Sequence, residues 1–224
     1  KNNTIKTNKM KGIKIFTSLA ALLFAMSISM HIMAQVPNMG TSKTGDAEKA
    51  AVDKMNIDTK ASSVNWKAEK VTGEHVGTIN IKSGELVIQG GTLNGGNIVI
   101  NMTSIICTDI ADAGTNAKLI GHLKSEDFFS VEKNETATFV ISNVKVLSAK
   151  KVMITGNMTI KGISNEQSFE AITGIVGGKM SISGAMKIDR TKYKVVYGSG
   201  SVFDDLGDKM IYDEFTLDFK LMTS

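Results

Sequence analysis

Residues 152–160 read VMITGNMTI, with an apolar or small side chain at every second position. Successive side chains of a β-strand point to opposite sides, so this alternation predicts a strand with one apolar face. Similar spacing recurs in residues 64–68, 98–102, 137–141, 169–175, 180–188 and 215–221. The pattern predicts eight or nine strands in an all-β domain over residues 54–224. Within it, TINIKSGELVIQGG (residues 78–91) is predicted to form a hairpin that turns at Ser83 and Gly84.

Strands that are apolar on one side require either two packed sheets or one closed barrel, and alternation is compatible with both. The apolar phase includes methionines and glycines, such as Met102, Met158, Gly156 and Gly184. Methionine adapts to irregular contents and glycine leaves space. An eight-stranded barrel can hold either packed side chains or one small ligand. The inner face therefore favours a barrel over two packed sheets, whereas composition alone favours a completely filled core.

One segment departs from the alternation. In NAKLIGHLKSEDFFS (residues 116–130), Leu119, Ile120 and Leu123 are spaced as on a helix, and Phe128 and Phe129 follow directly. We expect a short helix between two strands, with its apolar side against one end of the sheet. These side chains either screen a ligand from water or merely complete the core.

The N-terminal part is predicted to be a secretory signal. Residues 1–34 hold five lysines, no acidic residue and a short apolar run from about residue 15 to 26. We place the initiator at Met10 and cleavage near Ala34. An anchoring or amphipathic helix is the competing interpretation. Residues 35–53 are predicted to be a polar linker, and the destination is the periplasm or the exterior.

Without residues 1–34 the chain has 21 positively and 22 negatively charged residues, a formal charge of −1. No basic excess then points to nucleic acid or to an anionic membrane as a partner. We expect no stable membrane insertion after removal of the signal. The single cysteine, Cys107, excludes an intrachain disulfide and predicts a small buried side chain. A homodimer stays open.

Candidate catalytic residues are few. Outside the predicted signal only His75 and His122 remain, too few for a three-histidine zinc site. Two histidines with a carboxylate such as Asp127 could still bind a metal if the fold brought them together. The sequence contains no G-x-S-x-G elbow and no phosphate-binding loop. We therefore expect the histidines to form structural hydrogen bonds, and we expect no enzyme, metal or cofactor.

Arg190 is the only arginine among 26 positively charged residues. Its guanidinium can bind a carboxylate or phosphate through two parallel N–H groups, which lysine cannot do. The anion is either a carboxylate of the protein, from Glu74, Asp127 or the loop of residues 204–208, or the head group of a ligand. The acidic residues near the predicted mouth favour the internal carboxylate.

Five segments in order resemble the bacterial YceI-like, polyisoprenoid-binding family. They are MNIDTKASSVNWKAEKVTGEHVGTINIKSGEL (55–86), HLKSEDFFSVEKNETATFVIS (122–142), ITGNMTIKGIS (154–164), KIDR (187–190) and FTLDFKL (215–221). The resemblance implies an antiparallel eight-stranded β-barrel similar to lipocalins, and a secreted or periplasmic protein. It also implies a long amphiphile, a polyisoprenoid or fatty-acid derivative, inside the barrel. The acidic loop with Asp204, Asp205 and Asp208 departs from the family pattern and would repel a pyrophosphate head group.

Combined with the alternation, the resemblance predicts the site. We expect the tunnel to be lined by Trp66, Ile100, Phe139, Met158, Ile160, Phe169, Ile182 and Met186. We expect the cap or mouth to contain His75, Leu119, His122, Leu123, Phe128, Phe129 and Arg190. The predicted function is to carry or sequester an isoprenoid or acyl lipid. The alternative is an interaction or stress-response module with a filled core and no ligand.

Overall fold

The structure is a computed structural model and describes residues 51–224. The predicted signal and residues 35–50 of the predicted linker lie outside the described residues. The elements are β1 (Val52–Asn56), β2 (Ser63–Lys70), β3 (Gly73–Gln89), β4 (Thr92–Cys107), α1 (Ala113–Lys124), β5 (Thr136–Ser148), β6 (Lys151–Ile160), β7 (Ile163–Val176), β8 (Lys179–Asp189) and β9 (Ile211–Met222). No helix among these is long and apolar enough to cross a bilayer.

Strands β2 to β9 close into an eight-stranded antiparallel barrel. Each of them pairs with the next along the chain, and β9 also pairs with β2, which completes the circle. Strand β1 is a ninth strand that pairs with the second half of β3, from Val52 opposite Gln89 to Asn56 opposite Glu85. The predicted barrel with one short helix is confirmed. Closure pairs the strand edges that an open sheet would leave exposed.

The predicted hairpin at Ser83 and Gly84 is wrong. Strand β3 runs through both residues, and its pairing with β4 shifts register between Ile81 and Ser83. A Cβ atom on Gly84 would lie 2.5 Å from the Ile57 side chain, so glycine here makes room for Ile57. The turn instead lies at Gly90 and Gly91, which both have positive φ.

The barrel has two different ends because successive strands run in opposite directions. One end, called the helix end below, carries α1, the β2–β3 and β6–β7 turns and the β8–β9 connection. The other, the hairpin end, carries the β3–β4, β5–β6 and β7–β8 turns. The predicted helix is confirmed: it begins after Asp112, whose side chain accepts a hydrogen bond from the Thr115 N–H at 2.8 Å. Its half-buried Leu119, Ile120 and Leu123 pack on the core.

Aromatic rings occupy the space that two inner-face glycines leave. A Cβ atom on Gly156 would lie 2.6 Å from the ring of Phe139, and one on Gly184 would lie 3.1 Å from the ring of Phe219. Phe219 pairs directly with Gly184. Phe139 lies on β5, the strand adjacent to Gly156 on β6. These glycines therefore allow large side chains of neighbouring strands to fill the interior.

Candidate functional site

Two apolar cavities lie in line inside the barrel. The first, of about 80 Å³, lies near the helix end and is bordered by Leu123, Phe128 and Phe129. The second, of about 50 Å³, lies deeper. Ile100, Met158 and Leu217 border both cavities and therefore form the partition between them.

The eight predicted lining residues all lie on the inner face. Each has at most 9% of its surface exposed. Trp66 and Ile160 border the first cavity, Phe139, Phe169, Ile182 and Met186 border the second, and Ile100 and Met158 border both. This placement follows from the strand phase, because every second side chain points inward. That these residues bind a ligand stays a prediction.

The predicted cap residues divide into two groups. Leu123, Phe128, Phe129 and Arg190 border the first cavity. Leu119 packs on the core without bordering either cavity. The two histidines also do not border a cavity.

His122 belongs to an aromatic cluster at the helix end. Its ring contacts Phe128 and Tyr197 edge-on, with centroids 4.8 and 4.5 Å apart. Tyr197 comes from the β8–β9 connection, so the cluster joins this connection to the segment after α1. His122 Nε2 lies 3.7 Å from Asp127, longer than a hydrogen bond. The ring therefore acts mainly through packing.

Arg190 is 4% exposed and binds four backbone carbonyls. Its Nη1 donates to the carbonyls of Val195 and Tyr197 at 2.8 and 2.9 Å. Nη2 donates to Ile211 at 2.9 Å, and Nε to Tyr212 at 3.1 Å. The guanidinium thus holds the β8–β9 connection against the start of β9. Lysine could not replace it, because four carbonyls in different directions need the planar, branched donor set.

The carboxylate nearest to Arg190 belongs to Asp213, at 3.6 Å from Nη2. None of the predicted partners, Glu74, Asp127 or the loop of residues 204–208, forms a pair with Arg190 in the described part of the chain. Burial lowers the pKa of Arg190, and the charge of Asp213 partly opposes this. The predicted partner was an internal carboxylate, whereas the groups that bond the guanidinium in the described residues are backbone carbonyls.

His75 forms a hydrogen-bonded group with Asp109 and Cys107. The Nδ1 atom of His75 lies 2.8 Å from Asp109 Oδ2, and the Cys107 thiol donates to Asp109 Oδ1 at 3.1 Å. Burial raises the pKa of Asp109, but hydrogen bonds from the Val76 N–H, His75 and Cys107 outweigh this and hold the pKa well below its ordinary value. Burial, together with the bond to Asp109, raises the pKa of the Cys107 thiol. The group fixes β3 to the end of β4 and keeps the thiol protonated.

Two buried residues near Arg190, Asp213 and Tyr193, were not predicted from the sequence. The Asp213 side chain points to the inside of β9, between Ile211 and Phe215. A single acidic residue in an otherwise apolar series could have indicated a buried carboxylate from the sequence alone. Its Oδ1 atom is buried without a hydrogen-bond partner. Tyr193, fully buried in the β8–β9 connection, had no comparable signal, because irregular segments have no period from which burial can be inferred.

An eight-stranded antiparallel barrel with an apolar interior and a helix at one end defines the lipocalin-like class of β-barrel folds. Residues 55–223 match the YceI-like domain, and the chain belongs to that family. The recognition made from the sequence segments is therefore confirmed.

Solved structures share the fold. BcnA of Burkholderia cenocepacia superposes with a TM-score of 0.61 at 20% identity, over 75% of this chain and 99% of that one. A polyisoprenoid binding domain of Saccharophagus degradans, described as implicated in plant cell wall breakdown, gives a TM-score of 0.55 at 16% identity, over 79% and 99% of the two chains. At these identities the likeness concerns the fold alone.

Among curated sequences, a UPF0312 protein of Staphylococcus aureus (strain USA300) is 47% identical over 49 residues. That alignment covers 22% of this chain and 26% of the relative, so the chain spans about a quarter of the length of the curated relatives it matches.

Proposed function

We propose that the protein binds one isoprenoid or acyl lipid inside the barrel and carries or sequesters it in the periplasm or outside the cell. The observation that carries this proposal is the pair of apolar cavities in line along the barrel, separated only by side chains. The family membership and the structural likeness to the polyisoprenoid binding domain of Saccharophagus degradans support the class of ligand. The predicted signal in residues 1–34 supports the location.

The barrel must widen to admit a long chain. Even together the two cavities are smaller than the roughly 150 Å³ that accommodates benzene in an engineered protein core. Met158 is the most adaptable side chain of the partition, since methionine is unbranched and has three rotatable bonds. Its displacement would join the cavities. Each CH₂ of the ligand that leaves water then contributes about 0.8 kcal/mol.

Recognition acts on the tail of the ligand. Arg190 is the charged residue at the cavity wall, and most of its donors are bound to carbonyls. Asp204 and Asp205 in the β8–β9 connection are exposed and disfavour a doubly charged head group. A neutral or weakly charged amphiphile whose head stays at the mouth fits best.

The proposed role is binding without catalysis. The His75 group has its carboxylate between the imidazole and the thiol, so the histidine does not face the sulfur as a general base would. His122 packs between aromatic rings.

Native mass spectrometry of protein purified from its own source tests the proposal, together with titration of geranylgeraniol and palmitate followed by Trp66 fluorescence. Trp66 borders the first cavity, so ligand uptake is expected to shift its emission. Met158→Ala, which removes part of the partition, is expected to bind these probes more tightly, and Met158→Phe more weakly. Met222→Ala serves as the control, because Met222 is also buried (9% exposed) but borders neither cavity.

A second candidate is favoured by the small size of the cavities: a module with a filled core and no ligand. A clean apoprotein mass in every preparation, with no probe binding by the wild type or by Met158→Ala, would establish that candidate and refute the carrier. Met158→Leu, which nearly conserves volume, keeps the comparison valid if the alanine variant is unstable.

A further inference from the structure

We propose that the hairpin end of the barrel docks on an anionic lipid bilayer. This inference does not depend on a ligand in the barrel. It rests on the arrangement of three turns, on exposed aliphatic side chains and on the distribution of charge.

Three hairpins surround one groove of about 330 Å³ at this end. The β3–β4 hairpin contributes Gly91 and Leu93, the β5–β6 hairpin contributes Val146, and the β7–β8 hairpin contributes Gly174 and Ile175. The β5–β6 and β7–β8 hairpins are held side by side, since the Thr173 N–H donates to the Lys150 carbonyl at 2.8 Å, and all three hairpins line the groove. The three tips therefore form one surface.

Four large aliphatic side chains project from two adjacent tips. Val146 and Leu147 at the β5–β6 turn are 57% and 41% exposed, and Ile175 and Val176 at the β7–β8 turn are 65% and 56% exposed. Grouped exposed apolar side chains of this kind mark a contact with a membrane or a partner.

The charge on the same tips is positive. Residues 87–95, 144–152 and 172–182 contain four lysines (145, 150, 151 and 179) and no acidic residue. Lys151 pairs with Glu170, and Lys179 lies 3.4 Å from Asp58. Within residues 51–224, Lys145 and Lys150 form no ion pair.

The surrounding charge does not cancel this excess. The neighbouring residues Asp53, Lys54, Asp58 and Lys60 add no net charge. Glu85 and Glu170, which pair with Lys54 and Lys151, subtract two charges and leave the end with a smaller positive excess. The acidic β8–β9 loop, with Asp204, Asp205 and Asp208, lies at the helix end. The domain is nearly neutral in total, but its charge is distributed unevenly along the barrel axis, with the lysine excess at the hairpin end and the acidic loop at the helix end.

Exposed aliphatic side chains next to lysines fit an anionic bilayer. The aliphatic side chains enter the membrane interface, and the lysines pair with lipid phosphates. A second copy of this chain fits poorly. A two-fold contact through this end would place the lysines of one copy against those of the other.

Co-sedimentation with vesicles tests the proposal, comparing phosphatidylcholine with a mixture of phosphatidylcholine and phosphatidylglycerol. The wild type is expected to bind only the anionic vesicles, and less so as salt is raised. Each lysine near an anionic surface contributes about fivefold in binding, so Lys145→Glu with Lys150→Glu should weaken it about 30-fold or more. Ile175→Ser with Val176→Ser should also weaken it.

Matched controls lie at the helix end. Lys118→Glu with Lys192→Glu makes the same change of charge, and Val202→Ser with Phe203→Ser removes two apolar side chains that are about half exposed. Neither control should alter vesicle binding, and neither should the Met158 variants, which separates this test from that of the carrier. Absence of wild-type binding, equal binding to neutral vesicles, or equal loss in the controls would each overturn the proposal. The salt series on the wild type needs no variant to fold.

Discussion

Arg190→Lys is expected to destabilise the protein whether or not a ligand is present. The guanidinium bonds the carbonyls of Val195 and Tyr197 on one side and those of Ile211 and Tyr212 on the other. A lysine ammonium carries its donors on one atom and can reach two of these carbonyls at most. Two charge-assisted hydrogen bonds are then lost, each worth about 1.5 to 3 kcal/mol.

The expected loss is about 3 kcal/mol of unfolding free energy, the lower limit of that sum, because neighbouring groups relax. For a domain of this size the loss corresponds to a decrease of about 6 to 12 °C in melting temperature. Urea denaturation and thermal melting of protein freed of lipid measure both quantities. The same two measurements with palmitate or geranylgeraniol added should show the same difference between variant and wild type.

Two controls make the result specific. Asp213→Asn removes the carboxylate charge 3.6 Å away but keeps an amide oxygen that can accept from the Ser201 hydroxyl, and it should cost less than Arg190→Lys. Lys187→Met removes an exposed ion pair on β8 and should change stability by less than about 0.5 kcal/mol. If Arg190→Lys left lipid-free stability unchanged but abolished binding of a charged amphiphile, Arg190 would be a head-group ligand and the reasoning would be refuted.

Two further predictions concern Gly77 and Asp109. Gly77→Ala is expected to lower the free energy of unfolding by more than about 1 kcal/mol and to shift tryptophan emission, because its Cβ atom would overlap the Ile106 carbonyl oxygen and lie 2.7 Å from the Trp66 ring. Gly174→Ala is the control, because Gly174 has open space around it. Equal stability of the two variants would contradict the prediction. The pKa of Asp109 is lowered in the folded protein, so its ionised carboxylate stabilises the fold at pH values above 3.8, the ordinary pKa of aspartate. This stabilisation is lost as the pH falls from 3.8 toward the lowered pKa. Asp109→Asn should therefore be less stable than the wild type at pH 7 by urea denaturation and converge with it in acid, whereas a difference independent of pH would rule out the carboxylate charge as its source.

The sequence by itself determined the strands, the helix and the direction of most side chains. These features depend on a local period, so VMITGNMTI alone predicts which residues of β6 are buried. The eight lining residues were placed on the inner face for the same reason. The error at Ser83 and Gly84 shows the limit of this reasoning, because turn residues inside a long strand can instead accommodate a distant side chain, here that of Ile57.

Only the tertiary structure decided what occupies the interior. The inner-face glycines suggested open space, but Phe139 and Phe219 fill it from neighbouring strands. Cavity size depends on differences of less than an ångström between side chains that strand pairing brings together, and no local pattern contains that information.

The partners of Arg190 also became apparent only in the folded chain. The single arginine in the sequence indicates a side chain that needs hydrogen-bond acceptors, and acidic residues are the acceptors that a sequence pattern can suggest. The partners are instead carbonyls of residues 195, 197, 211 and 212. Every residue has a carbonyl, so the sequence does not distinguish those that will converge; the path of the β8–β9 connection selects them. The sequence thus specifies which groups need partners, and the fold determines which partners they find.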